Sequence, residues 1–342
     1  MNRSRRLVAA AAAVSLLGVG LAFSTRLTGT ARAAVGPIPP EALALPADSS
    51  IVMGFDVRAL TSSQFYAKFG GEGEPGRVDA LAEIERRTGL NPARDIDSVV
   101  VAIRANATQP VAAEGARPHR SDNALVFVTG RFDAARLESS IPEAGKASKE
   151  RRDGVTLYRE ATGQSNGVVA LLDAGILVAG DATAVETFLA NRSTGHGIRD
   201  SQALVAQLES IEPGSTFWAV GGPSVLSRLT SQVGGPAANL PAVKQIVAYG
   251  HLDPEVGMTA TAEAADAKSA TKIADVLRGF SAMLSLQAGQ KPEFAQIADS
   301  ISVATEDDKV HVKATITHEL IESLKKSAIS AHARKAAEIE IH

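Results

Sequence analysis

The sequence predicts an α+β protein of two related domains that arose by internal duplication, with mainly antiparallel sheets and helices packed on one face. Two patterns lead to this fold class. Strands with alternating hydrophobic residues are interspersed with amphipathic helices along the chain. From Gly214 onward, strands and helices return in the order in which they first occur. The composition suits a globular fold, because 45% of the 342 residues are hydrophobic and 21% are charged.

The N-terminal 33 residues have the layout of a secretory signal peptide. A basic start, an uncharged run at residues 7–23 and an A-x-A pattern ending at Ala33 follow one another. We predict cleavage between Ala33 and Ala34, and an uncleaved N-terminal membrane anchor is the alternative. Two adjacent arginines in the basic start suit either the general secretory route or the twin-arginine route. The predicted location is therefore periplasmic or extracellular.

Charge and cysteine content limit the expected partners. The leader carries five arginines and no acid, so its removal leaves 30 basic and 38 acidic side chains, a net charge of −8. That charge disfavours nucleic acid and anionic lipid. The absence of cysteine excludes disulfides, thiolate metal sites, cysteine nucleophiles and a lipid-modified cysteine. A membrane is therefore expected as a partner only through an uncleaved N-terminal segment.

The first unit is predicted at residues 50–213, after a Pro-rich linker at residues 34–49. Four prolines make that linker stiff and extended in the prediction. Hydrophobic alternation predicts strands at residues 50–55, 97–104, 124–130, 155–160, 167–172 and 176–180. Helical periodicity predicts helices at residues 56–69, 78–88, 133–141 and 201–210. A further helix is predicted to start at Thr183, which forms a capping box with Glu186, and residues 142–153 are predicted to be a charged connector.

The second unit is predicted at residues 214–326, followed by a helical tail at residues 327–342. Its predicted strands are residues 216–220, 245–251, 256–263, 300–305 and 310–315. Helices are predicted at residues 224–233, at residues 267–288 and after the capping residue Thr317. The helix at residues 267–288 has the clearest periodicity, since one stripe carries Ile273, Val276, Leu277, Phe280, Met283, Leu284 and Gln287.

Internal duplication is predicted from the kind and order of elements in the two units. The matched stretches are residues 51–55 with 216–220, 99–104 with 246–251, 125–137 with 258–273, 156–158 with 302–304, and 175–180 with 309–314. Their separation varies because the loops differ in length. Two unrelated domains that share a common strand–helix order are the alternative interpretation.

Three short stretches resemble sequences of a known group of proteins. They are Leu45-Pro46-Ala47-Asp48 running on to Phe55-Asp56-Val57, Thr88-Gly89-Leu90 before Asp95-Ile96, and Gly130-Arg131-Phe132-Asp133. In these stretches the chain resembles a family of exported bacterial proteins of unknown function. That family shares an N-terminal signal, a Leu-Pro-Ala-Asp-like lead-in and a tandem α+β repeat. The resemblance covers most of residues 45–325 and implies an extracytoplasmic location and no known chemistry.

Motifs for catalysis and metal binding are weak in this sequence. No two of the seven histidines have the spacing of a zinc-binding helix or strand. A G-x-S-x-G match at residues 163–167 precedes a predicted strand, whereas a nucleophile elbow requires a helix there, which favours a hairpin turn. We therefore predict no catalytic residue, no cofactor and no metal site.

Trp218 is the one candidate for a binding surface. It follows Phe217 on a predicted strand, so the two rings point to opposite sheet faces and one of them can be open to solvent. A tryptophan buried in the core is the alternative. The leading hypothesis is a non-enzymatic, exported protein that binds or scaffolds an envelope protein, peptide or lipid. A metal-free hydrolase whose site is assembled from distant residues is the alternative hypothesis.

Overall fold

Twelve strands form one continuous sheet in the computed structural model. The structure describes residues 35–69, 91–104, 124–132, 135, 137, 147–152, 154–160, 166–173, 175–223, 240–289 and 293–324. The strands are β1 (Ser49–Asp56), β2 (Ile96–Arg104), β3 (Ala124–Gly130), β4 (Ala147–Arg152), β5 (Val155–Glu160), β6 (Gly167–Asp173), β7 (Ile176–Asp181), β8 (Phe217–Gly221), β9 (Val243–His251), β10 (Val256–Ala264), β11 (Ile301–Glu306) and β12 (Lys309–Ile316).

Eight α-helices are described along the same residues. They are α1 (Val57–Ser62), α2 (Gln64–Phe69), α3 (Pro92–Asp95), α4 (Ala182–Thr194), α5 (Gln202–Glu209), α6 (Ala267–Leu286), α7 (Glu293–Ser300) and α8 (residues 318–324). Short 3-10 turns occur at Pro40–Ala44, Ile198–Asp200 and Gln287–Gly289. The predicted α+β class with antiparallel pairing is confirmed.

The pair of β1 and β8 joins the two halves of the chain inside the sheet. Outward from this pair the strand order is β1-β2-β3-β7-β6-β5-β4 on one side and β8-β9-β10-β12-β11 on the other. All neighbouring strands are antiparallel, and most of them follow one another in the chain. When the first five strands on each side are ranked by their place in the chain, both sides follow the order first, second, third, fifth, fourth. Internal duplication and the two unit boundaries nevertheless stay predictions.

Helices lie against both faces of the sheet, whereas the sequence predicted one helix-bearing face. On β9, Val247 belongs to the cluster under α4 and α5, and the adjacent Ile246 belongs to the cluster under α6. Adjacent strand residues point to opposite faces. Helices α4 and α5 of the first half therefore cover one face of the sheet. Helix α6 of the second half covers the opposite face.

The Pro-rich lead-in is a packed part of the core, in contrast to the predicted extended linker. Val35, Ile38, Leu43 and Leu45 are all buried in the main hydrophobic cluster. The prolines place this segment in a 3-10 turn, since Pro40 occupies the first position of the turn at Pro40–Ala44. Burial of the apolar residues between the prolines outweighs an extended conformation.

Three local predictions differ from the structure. The charged connector contains β4, which adds to the outer edge of β5 with an unbroken register. Helix α4 is capped by Asp181, whose carboxylate accepts a hydrogen bond from the Ala184 N–H at 2.9 Å, rather than by Thr183. Helix α7 was not predicted. The predicted segments at residues 78–88, 106–122, 224–233 and 327–342, and most of residues 133–141, lie outside the described residues.

Candidate functional site

Trp218 lies in the core and not at a surface. Its side chain is 4% exposed and belongs to the main hydrophobic cluster. Gly54 on the neighbouring strand leaves room for the indole ring, because a Cβ at Gly54 would lie 2.2 Å from the indole Cζ2 atom. The structure therefore supports the core interpretation of this tryptophan.

The other sequence candidates lie largely outside the described residues. Ala33 and Ala34 are outside them, and so are residues 163–165 of the G-x-S-x-G match. The described end of this match is Asn166, and β6 begins at Gly167. A strand therefore follows this motif, as the hairpin-turn interpretation predicted, and not the helix of a nucleophile elbow.

Four histidines are described, and each belongs to a separate part of the molecule. Their contacts are His196 with Asp200, His251 with Glu212, His311 with Thr261, and His318 with the rings of Phe65 and Phe69. Among the described residues, no group of three or more His, Cys, Asp or Glu side chains is placed to hold a metal ion.

One hydroxyl–imidazole–carboxylate series lies on the sheet. The Thr261 Oγ1 atom is 3.1 Å from His311 Nδ1, and His311 Nε2 is 3.7 Å from a Glu306 carboxylate oxygen. These groups resemble the components of an activated nucleophile. Thr261 lies on a central strand, however, where β9 and β12 pair with it on both sides. The local backbone N–H groups are used in the sheet and cannot form an oxyanion hole, so the geometry does not favour a hydrolase.

A chain of polar side chains connects α5 to the second half of the sheet. Gln207 Nε2 donates to Gln245 Oε1 at 2.7 Å, and Gln245 Nε2 donates to Glu263 Oε2 at 2.8 Å. Lys244 Nζ continues the series, at 3.2 Å from Glu263 Oε1 and 2.8 Å from Asp308 Oδ2. The hydrogen bond from Lys244 lowers the pKa of Asp308, and the same bond raises the pKa of Lys244. Gln207 Oε1 is buried without a hydrogen-bond partner, and the other contacts of the network are made between its own members. The network therefore acts as a structural link between α5 and the sheet.

A shallow depression on β9, β10 and β12 is small for a ligand site. Its volume is about 120 Å³, and Tyr249, His251, Thr259 and Lys313 line it. Ligand pockets for drug-sized molecules occupy about 300–1,000 Å³. The depression therefore accommodates a few water molecules and no organic ligand of ordinary size.

The C-terminal half of α6 exposes large hydrophobic side chains. Phe280, Met283 and Leu286 are 50%, 46% and 85% exposed. The N-terminal half of the helix is different, because Ile273 and Ala274 are buried against the sheet. Exposed apolar patches of this kind on a folded protein indicate an interaction surface.

These side chains form a regular stripe, which we call the α6 stripe: Val276, Gly279, Phe280, Met283 and Leu286. Val276, Gly279, Met283 and Leu286 are three, four and three residues apart, the spacing of a coiled-coil seam. A Cβ at Gly279 would meet no atom within 4 Å. Glycine in a helix interior costs about 1 kcal/mol relative to alanine, and its missing side chain permits close approach of another helix.

Charged residues border the stripe without interrupting it. Lys268 and Lys272 are exposed on the N-terminal half of α6. Asp275 is paired with Arg278, whose Nη1 atom lies 3.0 Å from Asp275 Oδ1. The stripe is therefore apolar along its length and is flanked by net positive charge.

The sequence predicted the periodicity of this helix but not its exposure. The predicted stripe included Phe280 and Met283 together with Ile273 and Leu277, and a single buried face was expected. On a helical wheel Ile273 and Met283 lie about 80° apart, which is within the width of an ordinary core-facing stripe. The sequence pattern alone therefore gave no signal for a second contact surface.

Helices in the described residues include none that is long and apolar enough to cross a membrane. No protein-family model and no curated protein match the chain. The chain is similar in structure to TP0453 of Treponema in its crystal form III, with a TM-score of 0.50 and 13% identity over 83% of this chain and 96% of that one. Crystal forms I and IV of TP0453 give TM-scores of 0.47 and 0.49 at 14% and 12% identity, over 83% and 82% of this chain and 95% and 94% of those chains. At this identity the likeness shows the fold alone.

Proposed function

We propose that this protein is a non-catalytic, exported component of the bacterial cell envelope that binds a helix of another envelope protein through the α6 stripe. The observation that carries the proposal is the exposure of Phe280, Met283 and Leu286 on the C-terminal half of a helix whose N-terminal half is buried against the sheet. Burial of three such side chains in an interface is worth several kcal/mol in total.

A helical partner suits the shape of the stripe better than the other candidates do. The surface is convex and has the three–four spacing into which the side chains of a second helix interlock. Gly279 leaves an open position at the centre of the stripe, where the backbone of the partner can come close.

The envelope location rests on other evidence. The signal-peptide layout and the resemblance to exported bacterial proteins of unknown function both support export. These two observations support the same compartment for this chain.

Photo-cross-linking in the intact native envelope tests the proposal. A photoreactive amino acid is placed at Leu286 or at Met283, and the matched control carries it at Thr271, an exposed residue of α6 outside the stripe. We expect one and the same protein to be cross-linked from both stripe positions and not from Thr271. Equal cross-linking from Thr271, or none from the stripe, would contradict the proposal.

Binding of the purified partner supplies the quantitative test. Met283→Glu places a charge in the stripe, and we expect it to weaken binding at least about tenfold, which corresponds to about 1.4 kcal/mol. Thr271→Glu serves as the control and is expected to leave the affinity unchanged. If flotation with phosphatidylcholine–phosphatidylglycerol vesicles shows binding that Met283→Glu abolishes, the stripe binds lipid and the proposal of a helical protein partner is wrong.

A further inference from the structure

The two outer strands of the sheet differ in how they are protected. An edge strand carries unpaired backbone groups, and proteins commonly guard it with charged side chains, proline or a bulge. At one end of the sheet, β4 carries Lys149, Glu150, Arg151 and Arg152 among its six residues. At the other end, β11 has the sequence Ile-Ser-Val-Ala-Thr-Glu with an unbroken register to β12. It contains no lysine, arginine or proline, and its one charge is at its last residue.

The register identifies which groups of β11 point outward. Glu306 pairs with Lys309 across the two-residue turn Asp307-Asp308, in which Asp307 has φ of 51°. The residues that flank such a turn form a hydrogen-bonded pair. Hydrogen-bonded pairs recur at every second residue of an antiparallel ladder. The backbone groups of Ser302, Ala304 and Glu306 therefore bond to β12. Those of Ile301, Val303 and Thr305 point to the outer side.

A contact from α6 agrees with this assignment. Arg278 Nη2 donates to the Val303 carbonyl at 3.2 Å, from outside the sheet. In the part of the chain that the structure describes, no other group bonds to the outer side of β11. The outward N–H groups of Val303 and Thr305 are therefore available to an added strand.

We propose that β11 pairs with β11 of a second copy of this chain, antiparallel and centred on Val303. In this register Val303 faces its own counterpart and Ile301 faces Thr305 of the second copy, so β-branched side chains pair on one face. Ser302 faces Ala304 on the other face, and both are small. Glu306 faces Ser300, so no like charges are opposed.

The charged edge strand β4 favours a closed dimer over an assembly that grows by repeated addition of chains. A two-fold axis through the Val303 pair uses the same surface on both molecules and closes the assembly. Further addition at the far ends is opposed by the charges of β4. One open edge and one guarded edge per chain thus give a dimer with a sheet of twice the width. This inference rests on the sheet edge and is independent of the α6 stripe.

Sedimentation equilibrium of the exported chain over a wide range of concentration tests the dimer. Val303→Pro removes the outward N–H without removing a hydrogen bond to β12, so the fold is retained while the new pairing is lost. We expect this variant to raise the dimer dissociation constant at least about tenfold. Val303→Thr keeps both the N–H and the β-branch, and as the matched control it should dimerise normally.

Arg278→Ala gives an effect of the opposite sign. It removes the group that competes for the Val303 carbonyl, so we expect tighter dimerisation. In hydrogen exchange, the amides of Val303 and Thr305 should be protected in the dimer and unprotected in Val303→Pro. A chain that stays monomeric at all concentrations, a dimer that persists in Val303→Pro, or assemblies larger than a dimer would each overturn the proposal.

Discussion

Gly54 is a residue whose side-chain size is limited by a ring in the core. A methyl group there would overlap the indole ring of Trp218, with Cζ2 at 2.2 Å and Cε2 at 2.3 Å. Trp218 is enclosed by the main cluster and cannot move away without disturbing it. We expect Gly54→Ala to lower the free energy of unfolding by about 1–3 kcal/mol in urea denaturation, as overpacking does in other cores.

A control and a double variant separate overlap from a general effect of alanine. Gly257→Ala lies on β10 in open space, where a Cβ meets no atom within 4 Å, and it should leave stability nearly unchanged. Gly54→Ala combined with Trp218→Leu should cost less than the sum of the single changes, because the smaller side chain relieves the overlap. Additive costs would show that the indole is not the obstacle.

The contact between Lys244 and Asp308 predicts a particular pH dependence. Asp308 has a lowered pKa in the folded chain, so its contribution to stability exists above the ordinary aspartate pKa of about 3.9 and is lost as pH falls through the folded value. Lys244 has a raised pKa, so its contribution exists below about 10.4 and is lost as pH rises through the folded value.

Asp308→Asn is therefore expected to destabilise the chain at neutral pH and to have a smaller effect at about pH 3. Urea denaturation of both proteins at the two pH values measures this difference. The control is Asp275→Asn, whose partner Arg278 lies on the same helix. A destabilisation by Asp308→Asn that is equal at both pH values would contradict the assignment.

Residue-level contacts were the part of the structure that the sequence predicted least. Gln207, Gln245 and Asp308 are far apart in the chain, and only the packing of α5 on the sheet together with the sheet register brings them into one network. The burial of Trp218 was one of two interpretations, since strand alternation identifies opposite faces without saying which face is covered. Such contacts depend on the pairing of strands that are distant in sequence, which local sequence patterns do not encode.

The start of α4 provides a test at the level of a secondary-structure element. The sequence predicted a cap at Thr183, and the structure shows that Asp181 accepts the hydrogen bond from Ala184 N. We expect Asp181→Ala to cost about 1 kcal/mol of stability, as loss of a helix cap does. Thermal unfolding should show Thr183→Ala to be nearly neutral. A larger cost for Thr183→Ala would restore the sequence-based assignment.

The buried and the exposed apolar residues of α6 predict two classes of substitution. Ile273 is 4% exposed, and Ile273→Ala should cost about 2–4 kcal/mol because it leaves a cavity against the sheet. Met283 and Leu286 are exposed, so Met283→Ser and Leu286→Ser should each change stability by less than about 0.5 kcal/mol. Chemical denaturation measures all three. Strong destabilisation by Leu286→Ser would mean that the stripe is part of the core of the monomer.

Most strands and the long helix were predictable because their patterns are local. Alternation located β1, β3 and β10 within about two residues, and periodicity located α6. The prediction failed where tertiary contacts outweigh local pattern. The charged segment Ala147–Arg152 became a strand because β5 offers it an edge, and charge is what an outer strand tolerates.

At the level of the whole molecule, the sheet makes the two halves dependent on one another. Trp218 and Val220 come from the second half, yet they are buried in a cluster built from first-half residues such as Val52 and Phe127. The lead-in residues up to Leu45 complete the same cluster. Internal duplication stays a prediction, and the products of such a duplication would here share one core.

A shared core predicts a single cooperative unfolding transition, even though the chain is long enough for two domains. Tryptophan fluorescence reports on Trp218 at the junction, and far-ultraviolet circular dichroism reports on all helices and strands. We expect both signals to change at the same urea concentration, because separation of the halves exposes the indole and the apolar side chains that enclose it. We also expect a fragment of residues 214–326 to be unfolded in isolation, because Trp218 and Val220 then lose the side of their cluster that the first half supplies. Two separate transitions, or a folded fragment with a buried tryptophan, would show that the halves are independent domains and that the pairing of β1 with β8 contributes little to stability.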